Sequence, residues 1–157
     1  MMQKIDFTLE PATLTDAYDI HLIELECFTS PWSENQIRDE ISKENAIFFT
    51  AKNSDNLCGY ISGQLILDEF YINNVAVTKR YRNNGIASAL INNLIKRLQE
   101  TNCVLATLEV RESNVNARRV YEKFGFMNLG IRKDFYSHPK ENACIYTLYF
   151  NESECEN

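Results

Sequence analysis

The chain has 157 residues, 45% of them hydrophobic, which is enough for one domain with a sizeable core. Its formal net charge is −6, so direct nucleic-acid binding, which needs a basic footprint, is not expected. An acidic surface suits a cationic partner such as an amine or a basic peptide, although many proteins are acidic for solubility alone.

Membrane association and metal binding are not expected either. No apolar run approaches the roughly 20 residues that span a bilayer, and the N-terminus carries Lys4 and Asp6 where a signal peptide would be apolar. A cytoplasmic location follows. The five cysteines are widely spaced and contain no CxxC pair, and His21 and His138 lie far apart, so the sequence predicts no metal site.

Periodicity and capping residues predict alternating strands and helices. The first strand covers 5–10, and the first helix runs from Thr13 to about Cys27. Four apolar residues of that helix are predicted to face inward: Ala17, Ile20, Leu22 and Leu25. The remaining predicted elements are a helix from the capping box Ser33/Gln36 to Ser42, a hairpin of 46–52 and 57–67, a strand at 71–77, a helix at 86–99, a strand at 104–110, a helix at 114–124, and strands at 127–136 and 143–150.

This order predicts a mixed α/β fold with about seven strands and about four helices. No repeat, linker or change of composition divides the chain, so one domain is expected over 1–150. The polar, acidic segment 151–157 is expected to be a frayed tail. A monomer is favoured.

A six-residue loop at 82–87 joins the strand 71–77 to the helix 86–99. Such a turn exposes backbone N–H groups at a helix N-terminus, which together with the macrodipole and Arg82 favour an anion such as a phosphate. Gly85 permits a close approach and dihedrals closed to other residues. The spacing fits neither a Walker loop nor a dinucleotide-binding loop, and an ordinary turn with a solvated arginine is the alternative.

Glu109 interrupts the apolar run 104–110, which is predicted to be a central strand covered on both faces. A carboxylate is costly there unless it faces a cleft or has a partner. Partial burial would raise its pKa and suit a general base. The alternative is a structural glutamate paired with Arg111 or Arg118.

Four other residues have both a functional and a structural interpretation. The phenol of Tyr121 is a competent proton donor to a leaving group, although tyrosines in helices usually pack. Asn114 has a strong interpretation as a helix N-cap. Phe28 and Trp32 are either core aromatics or a cover over a substrate channel.

Taken together, these residues resemble the GNAT N-acetyltransferases, and within them the branch that acetylates an N-terminal alanine of a ribosomal protein. The similarity spans about 5–150, and its most specific part is the segment from Glu109 to Tyr121. It is carried by the loop 82–87 and by 28–33, 74–77, 108–117, 121, 125–126, 132–136 and 142–143. The chain departs from the commoner family residues at Lys79, Ala87 and Asn142.

The resemblance implies a single-domain GNAT fold and acetyl-CoA as co-substrate, with no metal. The residues implied for the coenzyme are Val75, Ala76, Val77, Arg82, Asn83, Asn84, Gly85, Ile86, Ala87 and Asn114. Glu109 is implied as the general base and Tyr121 as the acid. Phe28, Trp32 and Tyr136 are implied as walls of the acceptor channel.

The implied reaction is direct acetyl transfer to the N-terminal α-amine of a small-subunit ribosomal protein, beginning with alanine. Two alternatives remain open. Another GNAT activity would use the same core on a lysine side chain, a polyamine or a small molecule. A non-catalytic acetyl-CoA-binding module would regulate a partner instead.

Overall fold

The computed structural model describes residues 4–150. In this part of the chain, seven strands form one mixed sheet in the order β1-β2-β3-β4-β5-β7-β6. The strands are β1 (Thr8–Pro11), β2 (Ala46–Asn53), β3 (Asn56–Ile66), β4 (Glu69–Val77), β5 (Leu105–Arg111), β6 (Met127–Ser137) and β7 (Lys140–Tyr149). The helices are α1 (Ala17–Cys27), α2 (Glu34–Ser42), α3 (Ile86–Gln99) and α4 (Val115–Lys123). The predicted fold class is confirmed, whereas the predicted tail 151–157 lies outside the described residues.

The fold consists of two compact units. Unit 1 comprises 4–64 and 73–96, and unit 2 comprises 65–72 and 97–150. In unit 1, β1, β2 and β3 pair antiparallel, and the predicted hairpin closes through the pair Asn53–Asn56. Ser54 in its turn has a φ of 53°, the left-handed conformation that tight turns require.

The buried face of α1 differs from the predicted one. Leu22 and Leu25 are 45% and 54% exposed, and their places are taken by Ile23 and Glu24. The reason is helical geometry: once Ile20 is buried, the positions three and four residues later share its face. Leu22 and Leu25 lie outside that set, so the prediction for these two was wrong.

Helix α3 has the face that its periodicity predicts. Of the side chains predicted to face the core, Ala87 at the start of the helix is partly exposed. The others are fully buried: Leu90, Ile91, Leu94 and Leu98. The capping box of α2 is confirmed as well, since the Ser33 hydroxyl accepts from Gln36 N–H at 3.1 Å and Gln36 accepts from Ser33 N–H at 2.8 Å.

Strands β3 and β4 approach closely at Gly59. A Cβ there would lie 2.6 Å from the carbonyl oxygen of Ala76 and within 3.3 Å of Val77, and backbone atoms cannot yield as a flexible side chain does. We therefore expect Gly59→Ala to lower the free energy of unfolding by about 2–3 kcal/mol, measured by urea denaturation. Gly130→Ala is the control, because nothing lies within 4 Å of its Cβ position; equal stability of both variants would contradict the prediction.

In unit 2, the start of β4 pairs parallel with β5, and β5 and β6 each pair antiparallel with β7. β5 was predicted to be covered on both faces, and this was wrong: burial alternates along it, with Ala106, Leu108 and Val110 buried. The intervening positions carry Thr107 and Glu109, which remain partly exposed, as expected of a strand with one polar face.

Candidate active site

The loop before α3 has an unusual backbone. Asn83 and Gly85 have φ angles of 65° and 76°, a region that favours glycine and tolerates asparagine. No protein atom lies within 4 Å of the position of a Gly85 Cβ, so the space beside this turn is open. The first N–H groups of α3 have no partner inside the helix. The loop therefore fits an anionic phosphate group, which its N–H groups can bind without help from a side chain.

The polar side chains of the loop bind the protein's own backbone. Arg82 Nε donates to the Val77 carbonyl at 3.0 Å, and its Nη2 lies 3.5 Å from Cys27 Sγ. Asn84 Nδ2 donates to the carbonyls of Tyr81 and Arg82 at 3.0 and 3.1 Å. The Arg82 guanidinium thus connects the loop to the end of β4, and its part in binding the coenzyme stays a prediction.

The end of β4 that precedes this loop is open to a ligand only in part. Val75 and Val77 are partly exposed, and Ala76 is buried. Thr78 N–H donates to the Cys58 carbonyl at 2.9 Å, which fixes this end of the strand. The coenzyme-binding role of these residues stays a prediction.

Gly85 provides a test of the loop. If acetyl-CoA is the co-substrate, as the resemblance implies, Gly85→Ala should raise its KM about tenfold, because an alanine in left-handed dihedrals costs about 1–2 kcal/mol and the loop relieves this strain by changing shape. Stability should fall by only about 1 kcal/mol, since the new methyl group meets no protein atom. The control is Gly130→Ala, whose Cβ site is equally open; an unchanged KM for Gly85→Ala would contradict the role of the loop.

Glu109 lies on β5 with a third of its side chain exposed, and Arg132 Nε is 3.6 Å from its carboxylate. The structural alternative required Arg111 or Arg118 as the partner of Glu109, and neither of them is. Arg111 pairs instead with Glu141 at 3.2 Å. An ion pair this long and exposed contributes little to stability, so the carboxylate of Glu109 remains available to accept a proton.

Tyr121 lies on α4 with its ring buried between aromatic neighbours. Its centroid is 5.7 Å from that of Phe126 and 6.2 Å from that of Tyr146. Burial raises the pKa of the Tyr121 hydroxyl above its usual value of 10, and the charge of an ionised Tyr136 raises it further. The phenol therefore keeps its proton at neutral pH, and its role as the acid stays a prediction.

Tyr136 lies in unit 2, as do Glu109 and Tyr121. The Arg111 guanidinium lies over its ring at 4.2 Å. Burial raises the pKa of Tyr136, Arg111 opposes this, and the Glu109 carboxylate adds to it. The charges of Glu109 and of an ionised Tyr136 thus raise the pKa of Tyr136 and of Tyr121 respectively, and a shared site for the three residues stays a prediction.

The other predicted site residues are placed as follows. Asn114 is the N-cap of α4, since its Oδ1 accepts from Ala117 N–H at 3.2 Å; its contact with the coenzyme stays a prediction. Phe28 and Trp32 are partly buried and pack against the hydrophobic core of unit 1. Both therefore combine core contacts with some exposed surface, and their place in an acceptor channel stays a prediction.

Within residues 4–150, no three His, Cys, Asp or Glu side chains lie close enough together to hold a metal ion. No helix there is both long and apolar enough to cross a bilayer.

The sequence model of the acetyltransferase (GNAT) family matches residues 17–126. The chain belongs to the GNAT family. As a GNAT acetyltransferase, it uses acetyl-CoA to acetylate an amine, and the open, N–H-lined loop at Gly85 fits the phosphates of that coenzyme.

Individual relatives of this GNAT acetyltransferase extend the comparison. It is 34% identical over 124 residues to the [ribosomal protein bS18]-alanine N-acetyltransferase of Haemophilus ducreyi, covering 76% of this chain and 83% of the relative. It is 30% identical over 143 residues to the enzyme of the same name from Escherichia coli, covering 90% and 96%.

Solved structures agree with the fold. The crystal structure of the ribosomal-protein-S18-alanine N-acetyltransferase from Escherichia coli matches with a TM-score of 0.88 and 28% identity, covering 97% of this chain and 99% of that one. Arabidopsis thaliana NAA60 in complex with acetyl-CoA matches with a TM-score of 0.85, covering 92% of this chain and 100% of that one. Its identity of 19% shows the fold alone.

One residue of this GNAT acetyltransferase was missed by the sequence analysis. Glu24 is almost completely buried in α1 and accepts hydrogen bonds from the Tyr60 hydroxyl, the Asn74 side chain and Trp32 N–H. The signal was its spacing, seven residues after Ala17 and four after Ile20, which places a carboxylate on the inward face.

Proposed function

We propose that this GNAT acetyltransferase acetylates the N-terminal alanine of ribosomal protein bS18. Named relatives with this activity are 30% and 34% identical over 90% and 76% of the chain. The observation that carries the proposal is the similarity to the Escherichia coli enzyme, which extends over 97% of the chain and so includes the parts of both units outside the coenzyme loop.

The acceptor amine must be neutral to attack, and an N-terminal amine reaches that state most easily. Its pKa is about 7.7–8.0, against about 10.4 for a lysine side chain, a difference of roughly 3.5 kcal/mol in the cost of deprotonation. A modest base therefore suffices. Glu109, partly exposed on β5, takes the proton from the amine directly or through a water.

Tyr121 supplies the proton at the other end of the reaction. Acetyl-CoA brings the acetyl group as a thioester, whose leaving thiol has a pKa comparable with the 8.5 of cysteine. Because burial raises the pKa of Tyr121, its hydroxyl is protonated whenever the thiolate needs a proton. Acetyl passes directly to the amine, and no covalent enzyme intermediate is involved.

The remaining predicted residues bind the two substrates. The backbone N–H groups of 82–87 hold the pyrophosphate, the strand residues 75–77 lie along the pantetheine arm, and Asn114 also contacts the coenzyme. Phe28, Trp32 and Tyr136 line the acceptor channel. The enzyme works in the cytoplasm as a monomer, on a peptide segment and without binding nucleic acid.

The test uses acetyl-CoA and two synthetic peptides of the bS18 N-terminal sequence, analysed by mass spectrometry. One peptide has a free alanine amine, and the other has that amine blocked and its lysines free. Acetylation of the first peptide alone is the expected result. Acetylation of lysine side chains alone would reject the proposal, and saturable acetyl-CoA binding without turnover on any amine would indicate a regulatory module instead.

A further inference from the structure

The backbone of Trp32 is held on both sides by α1. Its N–H donates to Glu24 Oε2 at 3.1 Å, and its carbonyl accepts from His21 Nδ1 at 2.7 Å. His21 and Glu24 are three residues apart and therefore neighbours on one side of the helix. A single loop residue thus has both of its backbone hydrogen-bonding groups fixed by side chains of one helix, although its own indole is only partly buried.

The second oxygen of Glu24 extends this link to two strands. Its Oε1 accepts from the Tyr60 hydroxyl of β3 and, at 2.9 Å, from Asn74 Nδ2 of β4. Asn74 immediately precedes Val75–Val77, the segment proposed to lie along the coenzyme. A carboxylate with 1% exposure is retained in a protein interior only where donors of this kind satisfy its oxygens.

We propose that Glu24, together with His21, positions Trp32 for binding of the acceptor peptide. The inference rests on the proposed function, because Trp32 is placed there in the acceptor channel. Glu24 does not reach a substrate itself; it fixes the loop residue that does. The Trp32 N–H has no other orientation available, whereas the Asn74 amide and the Tyr60 hydroxyl can rotate to new partners. Loss of the Glu24 carboxylate should therefore weaken binding of the acceptor peptide more than binding of the coenzyme.

The first measurement is tryptophan fluorescence, because Trp32 is the only tryptophan of the chain. Glu24→Gln keeps the size of the side chain but replaces one oxygen with a nitrogen that cannot accept a hydrogen bond. We expect its emission to shift to longer wavelength and to be quenched more readily by acrylamide. His21→Ala removes the carbonyl contact alone and should shift the emission in the same direction by less.

The second measurement is steady-state kinetics with the bS18 peptide and acetyl-CoA varied in turn. In Glu24→Gln, the KM for the peptide should rise about tenfold, as expected for the loss of one buried hydrogen bond, while the KM for acetyl-CoA stays within about twofold. Asp19→Asn is the control, since Asp19 is an exposed carboxylate of the same helix.

Each outcome decides the inference. Unchanged emission and unchanged peptide KM in Glu24→Gln would overturn it, and so would an equal rise in both KM values, which indicates a general loss of structure. If Glu24→Gln does not fold, His21→Ala decides by the same two readouts. If the wild-type enzyme does not acetylate the bS18 peptide, the proposed function is wrong. The amine that the enzyme does acetylate then replaces the peptide in the kinetic test. The fluorescence result does not depend on which acceptor is used.

Discussion

Replacing Glu109 with Gln is expected to lower kcat about 10²- to 10³-fold, because the amide cannot take a proton from the attacking amine. The change is nearly isosteric, and the side chain is a third exposed with one long ion pair to Arg132. The free energy of unfolding should therefore change by less than about 1 kcal/mol. Initial rates with the bS18 peptide and urea denaturation measure the two effects.

Arg132→Gln separates catalysis from structure. If Glu109 serves only as the partner of Arg132, removing either residue should have the same effect on kcat. If Glu109 is the base, Arg132→Gln should retain most of the activity. Wild-type turnover by Glu109→Gln would show that the assigned role is wrong.

Replacing Tyr121 with Phe is expected to lower kcat about 10²-fold, because the leaving thiolate loses its proton donor. The ring contacts with Phe126 and Tyr146 are preserved by phenylalanine, so the variant should fold normally. The exposed Tyr149 provides the control variant Tyr149→Phe, which should match the wild type. Equal rates in both variants would rule out Tyr121 as the acid.

The pH dependence of the wild type follows from the direction of the Tyr121 pKa. Because the pKa of Tyr121 is raised above the usual value of 10, the hydroxyl is still protonated at pH 10. The donor form is therefore present throughout the range in which the amine loses its proton. We expect kcat/KM to rise up to about pH 8 and then to stay level to about pH 10. A decline between pH 8 and 9 would contradict the assignment.

Local features of the fold could be predicted because their causes lie within a few residues of each other. The capping box of Ser33 and Gln36, the N-cap Asn114 and the core-facing side of α3 all depend on neighbours within one or two turns. Gly125, which directly follows the helix predicted at 114–124, has a φ of 93°. Such signals are readable in a sequence because the interacting groups are adjacent in it.

Features that depend on distant residues could not be predicted in the same way. The donors that allow Glu24 to be buried lie 8, 36 and 50 positions away along the chain. When these donors are not known, a carboxylate such as Glu24 is predicted to lie at the surface. Leu22 and Leu25 were therefore predicted to face the core in its place. The partner of Glu109 was missed for the same reason, since Arg132 lies on β6, 23 residues further along the chain and separated from β5 in the sheet by β7.

The candidate site was predictable in part. The left-handed backbone conformation of Gly85 could be predicted from the loop pattern. That of Asn83 could not, because asparagine adopts such dihedrals only in particular turns. The binding of the Arg82 side chain to Val77 was also unforeseen. The roles of Glu109 and Tyr121 came from resemblance to the family, and kinetics must test them.

The contact between Arg82 and Cys27 has a consequence for covalent chemistry. Cys27 is partly exposed, its thiol touches the Arg82 guanidinium at 3.5 Å and the Val77 carbonyl at 3.7 Å, and burial raises its pKa. Because the thiolate is the form that reacts with electrophiles, Cys27 should be slow to alkylate or oxidise at neutral pH. Modification by a stronger reagent would break the contact of Cys27 with the Arg82 guanidinium, whose Nε binds the Val77 carbonyl, so it should disturb the loop 82–87 from a position outside that loop.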